Sequence, residues 1–412
     1  MPLNVIVVGA GLGGPGAAIA LHCAGHNVLE KSSFLNEVGA AIHVAPNATR
    51  ILKAWGCDLE WLRPVHCEKL QIWDARGNLI RTPIVTKEYQ TALGVHDEWV
   101  LTHRVDLHSA LRATAARVVD GRKIRIQLAA RVSSVVRRPC INAGEVLLED
   151  GTKYTGELIV GADGIHVGYP GYKPLPIKQS SQSRSPARIQ HEASVVRGED
   201  VHAVKADFLE AFLARAYARS VWADYGVELL NVARIFPSDP GTNESHDASW
   251  HNAGSVEELL DTFQDFSDEL QEMCRMAEDV KLWSLAARDP APTFVRGKLA
   301  LIGDAAHPML PPRTDQGQGA AQAFEDAAGL ASVLPEATTV HRLPERLDLY
   351  NRLRYAHAVT VMMMSRTADE RREEMLGELR RLVPGAVSPE CMFGYTWTSD
   401  PVGEARRVVE VS

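Results

Sequence analysis

Residues 299–327 constrain this chain more than any other stretch. The apolar run Leu299-Ala300-Leu301-Ile302 passes into Gly303-Asp304, then a proline-rich loop, then Gly317-Gln318-Gly319 at the head of an alanine-rich segment. The order reads strand, turn, loop, helix. A helix begun at a glycine leaves its first backbone N–H groups unpaired, with the helix dipole favouring negative charge there. Asp304, at the strand end, can accept hydrogen bonds from a polyol chain. Together these suit the polar edge of a flat, anionic cofactor. An ordinary strand–loop–helix connection is the plainer alternative, because Gly and Pro punctuate many loops. A partner motif at the other end of the chain weighs against it.

That partner opens the sequence. Val5-Ile6-Val7-Val8 is a short continuous apolar run, as in a parallel strand buried on both faces. It leads into Gly9-Ala10-Gly11-Leu12-Gly13-Gly14, in which Gly9, Gly11 and Gly14 form G-x-G-x-x-G before a helical stretch. These glycines permit a tight turn and close approach of backbone to a pyrophosphate. Pro15 is tolerable in a first helical turn, where its missing N–H would be unpaired anyway. Glu30, after Asn27-Val28-Leu29, stands where an acidic residue accepts from ribose hydroxyls; a solvated surface glutamate is the alternative. Only two residues separate His26 from Leu29, a very short strand for a central place in a sheet.

The 412 residues are enough for two or three domains. A composition of 45% hydrophobic and 23% charged residues is that of an ordinary globular protein, and the net charge of −8 argues against nucleic acid. Cys23, Cys57, Cys67, Cys140, Cys274 and Cys391 show no C-x-x-C spacing, so free thiols are expected and no metal site is. With no apolar run of ~18 residues and no basic leader at the first strand, neither a membrane span nor a signal peptide is expected, which points to the cytoplasm.

Between the two ends lie further candidates. Asn47 is expected to cap a helix with Ala48, Ile51, Leu52 and Ala54 on its apolar side. His43, just before it, is either a satisfied, partly buried histidine or a group beside a bound ring and its substrate. Arg104 precedes an amphipathic helix carrying Leu107 and Leu111, where a guanidinium can pair with a phosphate or ribose. Strands are expected at Lys123–Leu128, Val132–Arg137 and Val146–Glu149. Leu158-Ile159-Val160 then enters a second strand-to-glycine turn bearing an aspartate, Gly161-Ala162-Asp163-Gly164.

Taken in order, GAGLGG, GADG and GDAAHP with the loop after it resemble the single-component flavin-dependent aromatic hydroxylases, in particular the salicylate hydroxylase-like monooxygenases, which include many fungal members. The resemblance covers roughly residues 3–166 and 220–400. It implies an α/β fold: a Rossmann-type FAD-binding domain, an inserted antiparallel-sheet substrate domain and a helical C-terminal tail. It also implies that Gly9, Gly11 and Gly14 hold the FAD pyrophosphate and Glu30 the adenosine ribose. Ala41 and Arg104 would contact FAD, Asp163 would support both FAD and nicotinamide use, and Asp304 would bind the ribityl chain. Pro311 and Pro312 would border the isoalloxazine, and Gly317 and Gly319 its pyrimidine side. The implied reaction uses NAD(P)H and O₂ to hydroxylate a phenolic or related small aromatic or secondary-metabolite substrate through a flavin C4a-hydroperoxide. His43 would orient or deprotonate the phenol, provided that it titrates near neutrality. A flavin oxidase or dehydrogenase on the same fold, and an inactive paralogue or defective gene model, remain as alternatives.

The chain departs from the family pattern in three places. The second strand lacks two residues before Glu30. Residues 167–219 are rich in Pro, Ser, Gln and Lys without apolar period and read as loop or disorder, either a diverged segment or a mis-spliced one. Arg313, Thr314 and Asp315 lengthen the loop before Gly317. Beyond these, VELLNVARI reads as a strand and Val256 to Leu270 as one amphipathic helix. Leu343 to Arg381 reads as helical, with Tyr350, Leu353, Ala356 and Val359 on one face, Met362-Met363-Met364 as core or interface, and DERREE as a solvated face. The expected division is an FAD-binding domain in three parts (1–70, 101–166, 291–340), a substrate-domain segment at 71–100, a substrate domain at 167–290 with 167–219 irregular, and a C-terminal helical region at 341–412.

Overall fold

A computed structural model describes residues 3–23, 27–31, 41–119, 122–127, 130–138, 143–164, 178–179, 188–195, 230–237, 254–284, 286–309, 317–366 and 372–409. The elements that position the site are, in chain order, β1 (Asn4–Val8), α1 (Gly13–Cys23), β2 (Asn27–Lys31), β3 (Ala41–Val44), α2 (Pro46–Ala54), β4 (Val100–His103), α3 (Arg104–Ala115), β5 (Arg125–Gln127), β6 (Leu158–Gly161), β7 (Arg188–Val195), β8 (Leu230–Pro237), β9 (Ala277–Ser284), β10 (Val295–Arg296), β11 (Leu299–Leu301), α4 (Gly319–Val333) and α5 (Leu343–Ser365).

The central sheet has six strands in the order β5-β2-β1-β6-β11-β10, all parallel except the edge strand β10. Its inner strands are apolar because both faces are covered: Val5, Ile6 and Val7 of β1 and Leu158 and Val160 of β6 have essentially no exposure. Gly13 of α1 lies against Ala323 of α4, and Gly16 against Phe324 of α4 and Trp55. Small residues at these points let the two helices approach closely. The expected shortness of the second strand does not materialise: β2 has five residues, as many as β1, and pairs with β1 along its length and with β5 from Leu29 to Lys31.

Other strands form smaller antiparallel sheets. Three of them, β8-β7-β9, make one sheet in which β7 is central. This corrects the reading of 167–219 as loop, because Arg188–Val195 is a strand paired on both edges. Its polar side chains hid the period; the ladder is made by backbone groups that any residue carries. Most of 167–219 lies outside the described residues. The single helix expected from Val256 to Leu270 is two, Val256–Thr262 and Asp268–Arg275. Ser255 and Glu258 form a reciprocal capping box at the start of the first.

Two further expectations change in the helical layer. Asn47 does not cap α2: Ala45 precedes it, Pro46 takes the first position, where its ring suits the helix, and Asn47 is fully buried inside. On α5 Tyr350 and Val359 are fully buried as expected and Leu353 packs partly against the core, but Ala356 is exposed and Arg354 is buried. An arginine therefore occupies a core position that the apolar count had assigned elsewhere. The three methionines are buried, as expected for core.

Arg354 is 1% exposed and its guanidinium is fully engaged: Nε donates to Asp326 Oδ1 at 2.8 Å, Nη1 to Glu325 Oε2 at 2.8 Å and Nη2 to Gln322 Oε1 at 2.7 Å. Burial would drive Asp326 up, but the positive fields of His307 and Arg354 and the hydrogen bonds it accepts hold it below the ordinary carboxylate range. Removing one partner from such a group strands the rest as buried, unpaired charge. Arg354→Met is predicted to cost ~3–5 kcal/mol, a large share of the ~5–15 kcal/mol typical of a native protein. Denaturant unfolding checks this; a midpoint equal to that of the unaltered protein contradicts it.

Candidate functional site

Parallel pairing brings the three glycine-bearing motifs to one edge. Val8 is in register with Lys31 on one side and Gly161 on the other, and Gly161 with Leu301. The chain thus leaves β1, β6 and β11 at the same level, with Gly9, Ala162 and Ile302 as the first residues out. Two backbone bonds hold the exits together, Ala162 N to Val8 O at 2.7 Å and Ile302 N to Gly161 O at 3.0 Å. Ligands of open α/β sheets bind at this carboxyl edge of the strands. Glu30 faces Val7 in register, one residue before the edge. Ala41 begins β3 and pairs with His103 of β4.

The glycines fit a bound phosphate or ring. Gly9 has φ +107°, and a Cβ there would stand 2.3 Å from the Ala162 carbonyl oxygen, so only glycine lets the first and second loops touch. Around Gly11, Gly164 and Gly319 no atom lies within 4 Å of where a Cβ would be. Those three positions border open space. Gly14 is buried in the first turn of α1. The first N–H groups of α4 follow Gln318, whose side chain forms no cap bond.

Asp304 sits in a single 3-10 turn, Gly303–Ala305, whose frame is pinned from three sides. Asp326 Oδ2 accepts from the Gly303 N–H at 2.9 Å and from His307 Nε2 at 2.5 Å. The buried Arg288 donates through Nη2 to the carbonyls of Asp304 at 3.1 Å and Ala305 at 2.5 Å. Tyr350 donates its hydroxyl to the Leu301 carbonyl at 2.9 Å. The Asp304 side chain stays reachable by solvent although protein surrounds it, as for a group that lines a recess. Desolvation raises its pKa, and the fields of His307, Arg104 and Arg288 pull partly the other way. Arg104, at the head of α3, is therefore within electrostatic reach of Asp304.

His43 lies on β3, with its ring 5.7 Å from that of Trp99, and it packs against Gly317, where φ is +52° and an added Cβ would stand 2.6 Å from the His43 Cβ. Burial lowers its pKa to about 4, so the imidazole is neutral at physiological pH. The sequence-based condition that it titrate near neutrality is not met, because no carboxylate offsets the loss of solvent. Its Nδ1 has no hydrogen-bond partner among the described residues. Asp163 follows β6 at the same edge. Pro311 and Pro312, with Arg313, Thr314 and Asp315, lie outside the described residues.

Several residues that build this edge escaped the sequence reading. Asn47 donates to Gln318 Oε1 at 3.1 Å and Glu325 Oε1 at 2.6 Å, tying α2 to α4. Ser399 donates to Glu325 Oε2 at 3.0 Å. His108 and His357 are largely buried, and burial lowers each to about 4. Together with His43 they are neutral in the fold, whereas the unfolded value is 6.5. Between about 4 and 6.5 the unfolded chain binds more protons, so stability falls as the pH drops through that window. The thermal midpoint of the cofactor-free protein is predicted to be lower at the acidic end of that range than at neutrality. A midpoint that rises on acidification contradicts it.

Comparison with known proteins gives the same picture. The family model described as "FAD binding domain" matches residues 2–365. Hispidin-3-hydroxylase of Neonothopanus nambi is 29% identical over 400 residues, covering 92% of this chain and 90% of that protein. Salicylate hydroxylase of Pseudomonas putida is 29% identical over 433 residues, covering 98% and 94%. Among solved structures, a salicylate hydroxylase substrate complex superposes with a TM-score of 0.71 at 22% identity, covering 98% of this chain and 97% of the other. The motif order, the shared edge and a family match over most of the chain converge: the protein belongs to the FAD-dependent aromatic hydroxylase family of flavoprotein monooxygenases.

Proposed function

We propose that this enzyme uses NAD(P)H and O₂ to hydroxylate a phenolic or related small aromatic compound, at a site where FAD lies along the carboxyl edge of β1, β6 and β11. The observation that carries this reading is the convergence of three motif loops around the recess lined by Asp304. Bound there, FAD supplies the electron transfer and oxygen activation that no amino-acid side chain provides. The relatives named for hispidin and salicylate support a hydroxylated ring as substrate. A cytoplasmic location fits a chain in which no helix of the described residues is long and apolar enough to cross a membrane.

The chain's own residues bind and orient. Gly9, Gly11 and Gly14 would hold the pyrophosphate and Glu30 would take the adenosine ribose. Arg104 and Asp304 offer complementary charge to phosphate and ribityl hydroxyls. The N–H groups of α4 beyond Gly317 and Gly319 receive the negative side of the ring system. Asp163 supports the cofactor from the middle loop, and Ala41 bounds it from β3. His43 is neutral, the form in which a ring nitrogen accepts from a phenol hydroxyl, and its lowered pKa favours orienting that hydroxyl over fully taking its proton. Pro311 and Pro312 are the residues that, by the family resemblance, would border the ring.

Two measurements test the reading. Asp304→Ala is predicted to lose retained FAD, with the purified variant pale where the unaltered protein is yellow; equal flavin content overturns the role of Asp304. Turnover with NAD(P)H and a panel of hydroxybenzoates and larger phenols is predicted to yield hydroxylated product in proportion to NAD(P)H consumed. Stoichiometric hydrogen peroxide with every ring tested identifies an oxidase instead. Protein that stays colourless with added FAD identifies an inactive paralogue.

A further inference from the structure

The phosphate-binding turn has a partner outside its own motif. His108 lies on α3, one helical turn after Arg104, and is 2% exposed. Its Nε2 stands 2.8 Å from the carbonyl oxygen of Ala10, the residue between the first two glycines of the turn. A carbonyl only accepts, so Nε2 carries the proton and donates. Burial lowers the pKa to about 4, with Arg104 and Arg112 adding to the effect, so the ring is a neutral donor across the physiological range.

The helix that presents it is itself fixed. Leu107 and Leu111 are fully buried. Asp106, in the first turn, receives Arg63 in a two-pronged bond, Nε to Oδ2 at 3.1 Å and Nη2 to Oδ1 at 2.8 Å. Residues four apart share a helix face, so one face of α3 carries both Arg104, toward Asp304, and His108, toward the glycine turn.

The consequence follows from amide geometry. No peptide bond among the described residues is cis, and in a trans amide the N–H points opposite to the C=O. Drawing the Ala10 carbonyl toward His108 turns the Gly11 N–H the other way. Gly11 is partly exposed and borders open space. We propose that His108 is a positioning residue for the cofactor's pyrophosphate: by holding the Ala10 carbonyl it fixes the Gly11 N–H in the direction of the bound phosphate. The proposal rests on the FAD-binding reading of this edge.

The test is an FAD titration of apoprotein carrying His108→Leu, His108→Gln or His108→Asn, with ADP competition alongside. Gln places an amide nitrogen near the Nε2 position; Asn stops at Nδ1; Leu fills space without a donor. Leu and Asn are predicted to weaken FAD about tenfold, the loss of one buried hydrogen bond with its acceptor stranded, and to weaken ADP by the same factor. Gln is predicted to bind both within about twofold of the unaltered protein, on the same scale. FAD affinity of His108→Leu equal to the unaltered protein overturns the proposal. So does His108→Gln binding as poorly as His108→Asn, a comparison that stands even if the Leu variant does not fold. Failure of the unaltered protein to bind FAD overturns the cofactor reading itself.

Discussion

The site depends on a charge that most proteins keep outside. Arg354 is buried at the heart of the helical layer, where it binds Asp326, Glu325 and Gln322, all on α4. Asp326 in turn grips Gly303 and His307, and Glu325 reaches Asn47 of α2 and Ser399 near the C-terminal end. One guanidinium thus joins the end of β11, the head and body of α4, α2 and α5. A buried ionic cluster is weak evidence for stability by itself. Its value here is directional: each bond has a fixed length and angle, so the turn carrying Asp304 has one allowed position against the helix that follows it. Apolar packing of equal volume would hold these elements together without specifying their register.

The parallel sheet supplies the other half of the design. Strands that run the same way end at the same edge, so motifs far apart in sequence, at Gly9, Ala162 and Gly303, emerge side by side. The sheet sets where the loops meet, and the cluster sets how the third loop is turned. Arg288 and Tyr350 add carbonyl bonds from the flanks. The Gly303 N–H and the carbonyls of Leu301, Asp304 and Ala305 thus have protein partners without any ligand, as in a pre-formed site.

Legibility of the sequence followed the range of the interactions. The three motifs were readable because each packs a strand end, a glycine turn and the next element into a few consecutive residues. Strand and helix of the central sheet followed from them. The cluster was not readable: Glu325, Asp326 and Arg354 look like ordinary helix-surface charges until α4 and α5 are laid together, and Asn47 imitates a cap until Gln318 and Glu325 are placed beside it. The strand at Arg188–Val195 was missed for a related reason, since its identity lies in backbone pairing with β8 and β9 and its side chains show no apolar alternation. His43 was a candidate in the sequence, but its protonation was not legible there, because desolvation depends on Trp99 and Gly317 arriving from distant segments.

The central claim is that these loops form one site for the whole of FAD, from adenosine to ring. Equilibrium titration of the apoprotein with FAD and, separately, with FMN, which lacks the adenosine half, tests it most directly. Saturation by one FAD per chain with much weaker binding of FMN is the predicted result. Equal affinity for the two, or binding of neither, would contradict it.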